Sequence, residues 1–145
     1  MATFVLIFGI VSALFTLQAG FKMLDRARYT TLAGQILQSQ MEKLRLLTWT
    51  QLTDPVHGPM AHSNFTPDIS LSAYSAAQIS HFTPAGGGSC TQTITDVTSP
   101  AVCAGTMKDI TLTATWIGTD GRRQTLSYVT RYGQNGISDF FYTTH

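Results

Sequence analysis

The chain has 145 residues, a formal net charge of +1 at pH 7 and charged side chains at only 12% of its positions. This balance argues against nucleic-acid binding, which would call for a basic face. The low charge suits an extracellular surface, or one packed against neighbouring molecules, better than a free cytosolic surface. The chain is long enough for one small domain beside the N-terminal segment described next.

The first element is an uncharged apolar segment over residues 1–21. About 20 apolar residues suffice to cross a bilayer as a helix. The segment is apolar on all sides, as a helix in lipid or in a fully buried bundle must be. Small residues within it would let neighbouring helices approach closely. The residues expected to pack against other helices are Phe4, Phe8, Gly9, Val11, Ser12, Phe15 and Gly20.

The same helix is predicted to continue over residues 22–53 in amphipathic form, because no proline occurs before Pro55. Apolar side chains recur here at spacings of three and four, which marks a single stripe along a helix. A helix over about 1–52 would be roughly 75 Å long and would have to protrude from any domain of this size. The stripe residues expected to hold a sheet are Leu32, Ile36, Met41, Leu44 and Leu47.

Residues 54–89 are predicted to form a connecting loop, because they are rich in proline, glycine and serine and show weak periodicity. A short strand or helical turn is expected within residues 70–79. The glycines of residues 86–88 do not form a phosphate-binding loop, since no Gly-Lys-Ser/Thr sequence follows them.

The C-terminal segment, residues 90–145, predicts an antiparallel β domain and therefore an α+β fold. Residues 91–97 are one candidate strand, and residues 108–117 and 123–132 alternate in polarity on either side of a Gly-Thr-Asp-Gly turn, as a hairpin does. The aromatic residues of 139–142 predict a final strand or a contact with a neighbour. The strand residues expected to pack on the helix are Ile110, Leu112, Trp116, Leu126 and Tyr128.

The chain has two cysteines, Cys90 and Cys103. An apolar N-terminus favours export, and small exported domains often depend on disulfides, so a Cys90–Cys103 disulfide is predicted. A closed loop of about 15 residues would stabilise the domain by roughly 3 kcal/mol. The alternative is two independent thiols in a reducing compartment.

No catalytic residue, metal site or cofactor is predicted. The histidines His57, His62, His81 and His145 occur without an HExxH motif or an acidic cluster, so solvated side chains are the better interpretation. No Gly-x-Ser-x-Gly sequence marks a nucleophile. We therefore expect a protein that is not an enzyme.

Together these segments resemble type IV pilins and pseudopilins, minor pilins in particular. Residues 1–28 are similar to the pilin N-terminal helix, residues 32–49 to a stretch of minor pilins, and residues 109–137 to their terminal hairpin. The resemblance implies a small antiparallel sheet packed on the second half of the long helix. It also implies a structural subunit that polymerises through its N-terminal helix, alone or with other pilins.

The same resemblance implies a route and a set of partners. The subunit would wait in the bacterial inner membrane, be driven out by the pilus assembly machinery, and end in an extracellular or periplasmic filament. The filament would be a type IV pilus or a type II secretion pseudopilus.

Two features depart from the family. Pilins carry a glutamate five residues into the mature chain, whereas this sequence has Val5 and no acidic residue before Asp25. A short basic leader ending in glycine is also not visible. We therefore expect that Met1 is not the true start of the protein. The rival hypothesis is a subunit that lacks this glutamate, as some tip pseudopilins do.

Two other classes of protein stay open. One is a single-pass, membrane-anchored extracytoplasmic module that binds a partner and does not polymerise. The other is a secreted domain with a cleaved signal peptide. This last class is disfavoured, because the apolar run has neither a basic segment before it nor a clear Ala-x-Ala cleavage site before the helix continues.

Overall fold

A computed structural model describes residues 2–67 and 75–134 of the chain. Its dominant element is helix α1, Ala2–Arg45, which is followed by two short helices, α2 (Trp49–Thr53) and α3 (Ala76–Ser80). Helix α1 has 44 residues and is therefore about 66 Å long at 1.5 Å per residue. The apolar segment and most of the amphipathic segment thus belong to one continuous helix.

The long helix ends earlier than the sequence predicted. It stops at Arg45, and the chain turns before Thr48 caps helix α2. The Thr48 hydroxyl accepts the backbone N–H of Gln51 at 3.4 Å, while the Gln51 side-chain oxygen accepts the backbone N–H of Thr48 at 3.0 Å. This reciprocal capping box satisfies two backbone donors and favours a new helix start. The break lets Leu52 point into the core, where it is fully buried.

Three strands, β1 (Ser89–Asp96), β2 (Met107–Ile117) and β3 (Arg123–Gly133), form one antiparallel sheet in the order β1-β2-β3. The hairpin between β2 and β3 closes where the Gly118 N–H donates to the Arg122 carbonyl at 2.9 Å. The α+β fold, with a long N-terminal helix and a small C-terminal antiparallel sheet, is confirmed. Residues 135–145, which include the aromatic residues of 139–142, lie outside the described residues.

The connecting segment is built onto the outer edge of β1. The Gln92 N–H donates to the Ser63 carbonyl at 2.8 Å, and the Phe65 N–H donates to the Cys90 carbonyl at 3.1 Å. The buried Gln92 side chain also donates to the carbonyls of Pro59, at 2.9 Å, and His62, at 3.0 Å. A short strand or helical turn was expected within residues 70–79. The last four of these residues belong to helix α3, whereas residues 68–74 lie outside the described residues.

Helix α1 packs along the inner face of the sheet with β3 running in the same direction. The Tyr132 hydroxyl donates to the Leu47 carbonyl at 2.7 Å. Nearer the N-terminus, a Cβ built on Gly34 would lie 3.3 Å from the Tyr128 hydroxyl. The second half of the helix therefore holds the sheet. The buried side chains at this interface include Leu32, Ala33, Ile36, Leu37, Met41, Leu44, Ile110, Leu112, Ala114 and Trp116.

Most of the predicted helix-to-sheet residues lie in this core, and three lie at its margin. Leu47 and Leu126 are partly buried against the core. Tyr128 is 39% exposed and packs against the helix only at the margin of the interface. Tyr128 borders the groove between α1 and β3, and its hydroxyl lies close to Gly34 of the helix. Phe82, from the connecting segment, is instead fully buried and was not predicted.

A buried lysine lies at the end of the sheet far from the apolar segment. The Lys108 ammonium contacts the Asp96 carboxylate at 2.6 Å and lies 5.9 Å from the centre of the Trp49 ring. The Trp49 ring stacks on Tyr132 with 6.2 Å between ring centres. Asp96 is half exposed, whereas the Lys108 side chain is 9% exposed. The Asp96 carboxylate therefore offsets most of the desolvation cost of burying the Lys108 ammonium.

We expect Asp96→Asn to lower the free energy of unfolding by about 1–2 kcal/mol, because it leaves the buried ammonium without its anion. Lys108→Met removes the charge and keeps the apolar stem, so it should change the free energy of unfolding by less than about 1 kcal/mol. Urea denaturation of the full chain in detergent micelles, followed by tryptophan fluorescence, measures both. Equal losses in the two variants would contradict this explanation.

Candidate functional site

The N-terminal half of α1 extends away from the other described residues of the chain. Every side chain described between residues 3 and 24 is exposed. The aromatic side chains here are more open than the described phenylalanine, tyrosine and tryptophan side chains of the domain: Phe4 is 77%, Phe8 76% and Phe15 67% exposed. We call residues 3–21 the apolar helix half. So large a continuous apolar surface marks a site of contact with lipid or with other proteins.

The apolar helix half is long enough to cross a bilayer. Nineteen residues span roughly 29 Å as a helix, close to the thickness of a hydrocarbon core. Within the described residues, α1 is the one helix with the length and composition to span a membrane, and the same features are compatible with a signal sequence. None of its most apolar window is buried against the rest of the chain.

Two distinct faces run along the apolar helix half. At about 100° per residue, Phe4, Phe8, Val11 and Phe15 fall within about 60° of one another around the helix. We call this the aromatic face. The small residues fall within a similar arc about 140° away. This second arc, the small-residue face, consists of Gly9, Ala13, Thr16 and Gly20.

The small-residue face is open, and the hydroxyls on it and beside it are hydrogen-bonded. A Cβ built on Gly9 or Gly20 would meet no atom within 4 Å. The Ser12 hydroxyl donates to the Gly9 carbonyl at 2.9 Å, and the Thr16 hydroxyl donates to the Ser12 carbonyl at 2.9 Å. These bonds remove the cost of placing the hydroxyls in an apolar environment. The face can therefore accept either lipid chains or a neighbouring helix.

The residues predicted for helix packing all lie on this half, and none of them is buried by residues 2–67 or 75–134. Phe4, Phe8, Val11 and Phe15 form the aromatic face, and Gly9 and Gly20 lie on the opposite face. Ser12 lies between the two.

The predicted Cys90–Cys103 disulfide is wrong, because both thiols are free. Cys90 pairs with Ala114 near one end of the sheet, whereas the connection carrying Cys103 leaves the other end, where Asp96 pairs with Lys108. Six residues of strand separate Cys90 from that end, which is about 20 Å. A disulfide needs Cα atoms within about 7 Å of each other.

The two thiols also lie in different environments. Burial raises the pKa of the Cys90 thiol to about 12, so it stays protonated at neutral pH. Its sulfur lies 3.7 Å from the Phe82 carbonyl inside the core. Cys103 is half-buried in a short turn, Ala101–Cys103.

We expect iodoacetamide to label Cys103 and to spare Cys90 in the folded, unreduced chain. Unfolding should expose the second thiol, with or without reductant. Mass spectrometry of tryptic peptides after native and denaturing alkylation measures this. Two thiols that react only after reduction would restore the disulfide.

The histidines do not converge on a metal site within the part of the chain that the structure describes. No group of three or more His, Cys, Asp or Glu side chains lies close enough there to hold an ion. His57 lies 3.7 Å from the Asp54 carboxylate at the surface. The ring of His81 packs edge-on against Tyr29 with 5.0 Å between ring centres. His145 lies outside the described residues.

No family model, curated protein or solved structure matches this chain.

Proposed function

We propose that this chain is the structural subunit of a filament of the type IV pilus or type II secretion pseudopilus kind. The proposal is supported by one continuous helix, α1, that is packed in the domain over its second half and exposed over its first half. Residues 29–45 bury one face in the domain, whereas every described side chain of residues 3–21 is exposed. A helix of this form holds a folded domain at one end and offers a polymerisation element at the other.

The apolar helix half requires a cover at every stage. Burying one large apolar side chain contributes about 1.5–3 kcal/mol, so ten of them represent tens of kcal/mol. Before assembly, the bilayer of the bacterial inner membrane supplies that cover. After assembly, the same helix halves of neighbouring copies supply it, in an extracellular or periplasmic filament.

The two faces of the helix half support polymerisation rather than permanent anchoring. The aromatic face of one copy presents bulk, and the small-residue face of another presents room for it. A contact between two different faces is heterologous, and repetition of such a contact without closure gives a helical array. Close approach at glycine also replaces the lipid contacts that each helix loses.

The proposed filament subunit needs two kinds of partner, an assembly machine and neighbouring subunits. Transfer of the helix half from lipid to a filament core needs an external machine, which we assign to the pilus assembly apparatus. Neighbours in the filament are other copies of this chain or related pilins. The alternative function, a membrane-anchored binding module, needs the apolar surface but gives no role to two opposed faces.

Shearing of producing cells tests the proposal. We expect the full-length chain both in the membrane fraction and in the sheared, sedimentable filament fraction. Confinement to detergent-extracted membranes would contradict polymerisation and support the anchored module. Recovery of only a soluble chain that lacks the apolar helix half would instead establish a cleaved signal sequence.

A further inference from the structure

The turn between β2 and β3 lies beside α1, close to the point where the apolar helix half ends. Gly118 and Asp120 of the turn and Gln124 of β3 line a small cavity of about 20 Å³ together with Arg26 and Tyr29 of the helix. The fold therefore brings a late segment of the sequence to the same level as the first basic residues after the apolar run.

This juxtaposition concentrates positive charge. Of the nine basic residues in the chain, five lie at or next to this level, accompanied by two acidic residues. We call this the basic end of the domain. Its charged residues are Lys22, Asp25, Arg26, Arg28, Asp120, Arg122 and Arg123.

The basic side chains at this end are exposed and available. All five are open to solvent. In residues 2–67 and 75–134, no carboxylate lies within 4.0 Å of any of them. By contrast, the described charges elsewhere are balanced, four against four. Those are Glu42, Lys43, Arg45, Asp54, Asp96, Lys108, Asp109 and Arg131.

The position of the basic end selects its partner. Lys22 directly follows Phe21, so a bilayer that holds the apolar helix half places its headgroups at this level. Long basic side chains at the end of a membrane helix extend into the headgroup region. Anionic lipids attract basic residues at that depth, by roughly a fivefold gain in binding for each residue near the surface.

We propose that the basic end binds the anionic headgroups of the membrane that stores the subunit. Arg122 and Arg123 add a second point of contact to the one made by Lys22, Arg26 and Arg28. Two points of contact seat the domain against the bilayer and fix its orientation. This inference rests on the membrane-stored stage of the proposed function. It makes the lipid charge a determinant of how readily the subunit leaves for the filament.

The test uses the full chain reconstituted in two kinds of vesicle, phosphatidylcholine alone and phosphatidylcholine with roughly 30% phosphatidylglycerol. Electron spin resonance of spin-labelled lipids measures the preference of the protein for phosphatidylglycerol over phosphatidylcholine. We expect a preference of at least about threefold, lost at roughly 0.5 M salt because the charges are screened.

Matched variants locate the contact. Arg122→Gln with Arg123→Gln should reduce the preference at least by about half, whereas Arg122→Lys with Arg123→Lys should retain it. Arg45→Gln with Arg131→Gln removes the same charge from the far end and should leave the preference unchanged. An unchanged urea midpoint shows that each variant is folded.

The outcomes separate this inference from the proposed function. Integration into both kinds of vesicle without any preference for phosphatidylglycerol overturns the lipid inference and leaves the filament proposal intact. A preference that survives R122Q/R123Q overturns the role of the turn. A chain that enters neither kind of vesicle contradicts the membrane stage, and both proposals with it.

Discussion

Phe82→Ala is expected to lower the free energy of unfolding of the globular part by about 3–5 kcal/mol. Phe82 is fully buried, and its ring centre lies 5.3 Å from that of Trp116 and 6.4 Å from that of Tyr29. It therefore ties the connecting segment to both the sheet and the long helix. A domain of this size has about 5–15 kcal/mol in total, so the variant should be partly unfolded at 37 °C.

The matched control is Phe15→Ala, which deletes the same atoms from the exposed apolar helix half. It should change the free energy of unfolding of the globular part by less than about 0.5 kcal/mol. Urea denaturation in detergent micelles, followed by tryptophan fluorescence, reports on both variants, because Trp116 lies next to Phe82. Similar losses in the two variants would contradict the division of α1 into a half that packs in the domain and the exposed apolar helix half.

A chain with both Gly9→Leu and Gly20→Leu is expected to enter the membrane normally and to fall at least about tenfold in the sheared filament fraction. A Cβ built on either glycine meets no atom within 4 Å among the described residues, so the side chain has room to start from the open surface of the helix. Leucine also raises helix propensity by up to about 1 kcal/mol per site and increases apolarity. The folded subunit and its membrane form are therefore preserved. The added side chains fill the small-residue face and prevent close approach of a neighbour's aromatic face.

Leu6→Ile with Leu17→Ile controls for the number of substitutions, because both positions lie off the two faces and keep their apolarity. This variant should form filaments at the normal level. Quantitative immunoblots of the membrane and sheared fractions measure both variants. Normal filament yield from G9L/G20L would contradict packing through the small-residue face.

The sequence predicted those parts of the fold that depend on periodicity within one segment. The stripe of Leu32, Ile36 and Met41 and the alternation of Ile110, Leu112 and Trp116 each define a buried face without knowledge of a partner. The strands and the β2–β3 turn followed from alternation and turn residues. The exposed helix half followed from its uncharged composition.

Features that depend on how distant segments pack together were not predicted from the sequence. The disulfide prediction used only the expected cellular compartment and the number of cysteines. Antiparallel pairing of the candidate strands at residues 91–97 and 108–117 already places Cys103 at the opposite end of the sheet from Cys90. Lys108 has the same strand parity as Ile110, which signals an inward lysine, although its partner Asp96 becomes evident only from the register. The basic end likewise could not be predicted, because it forms only when the β2–β3 hairpin packs beside α1.

In the proposed filament, neighbouring copies cover the apolar helix half. A cryo-electron microscopy map of the sheared fraction, with one chain traced per subunit, tests this most directly. We predict a core of helices in which the aromatic face of one subunit contacts the small-residue face of another, with Phe8 and Phe15 buried. A map in which residues 3–21 lie in lipid or detergent, or in which this chain is not part of the filament, would contradict the claim.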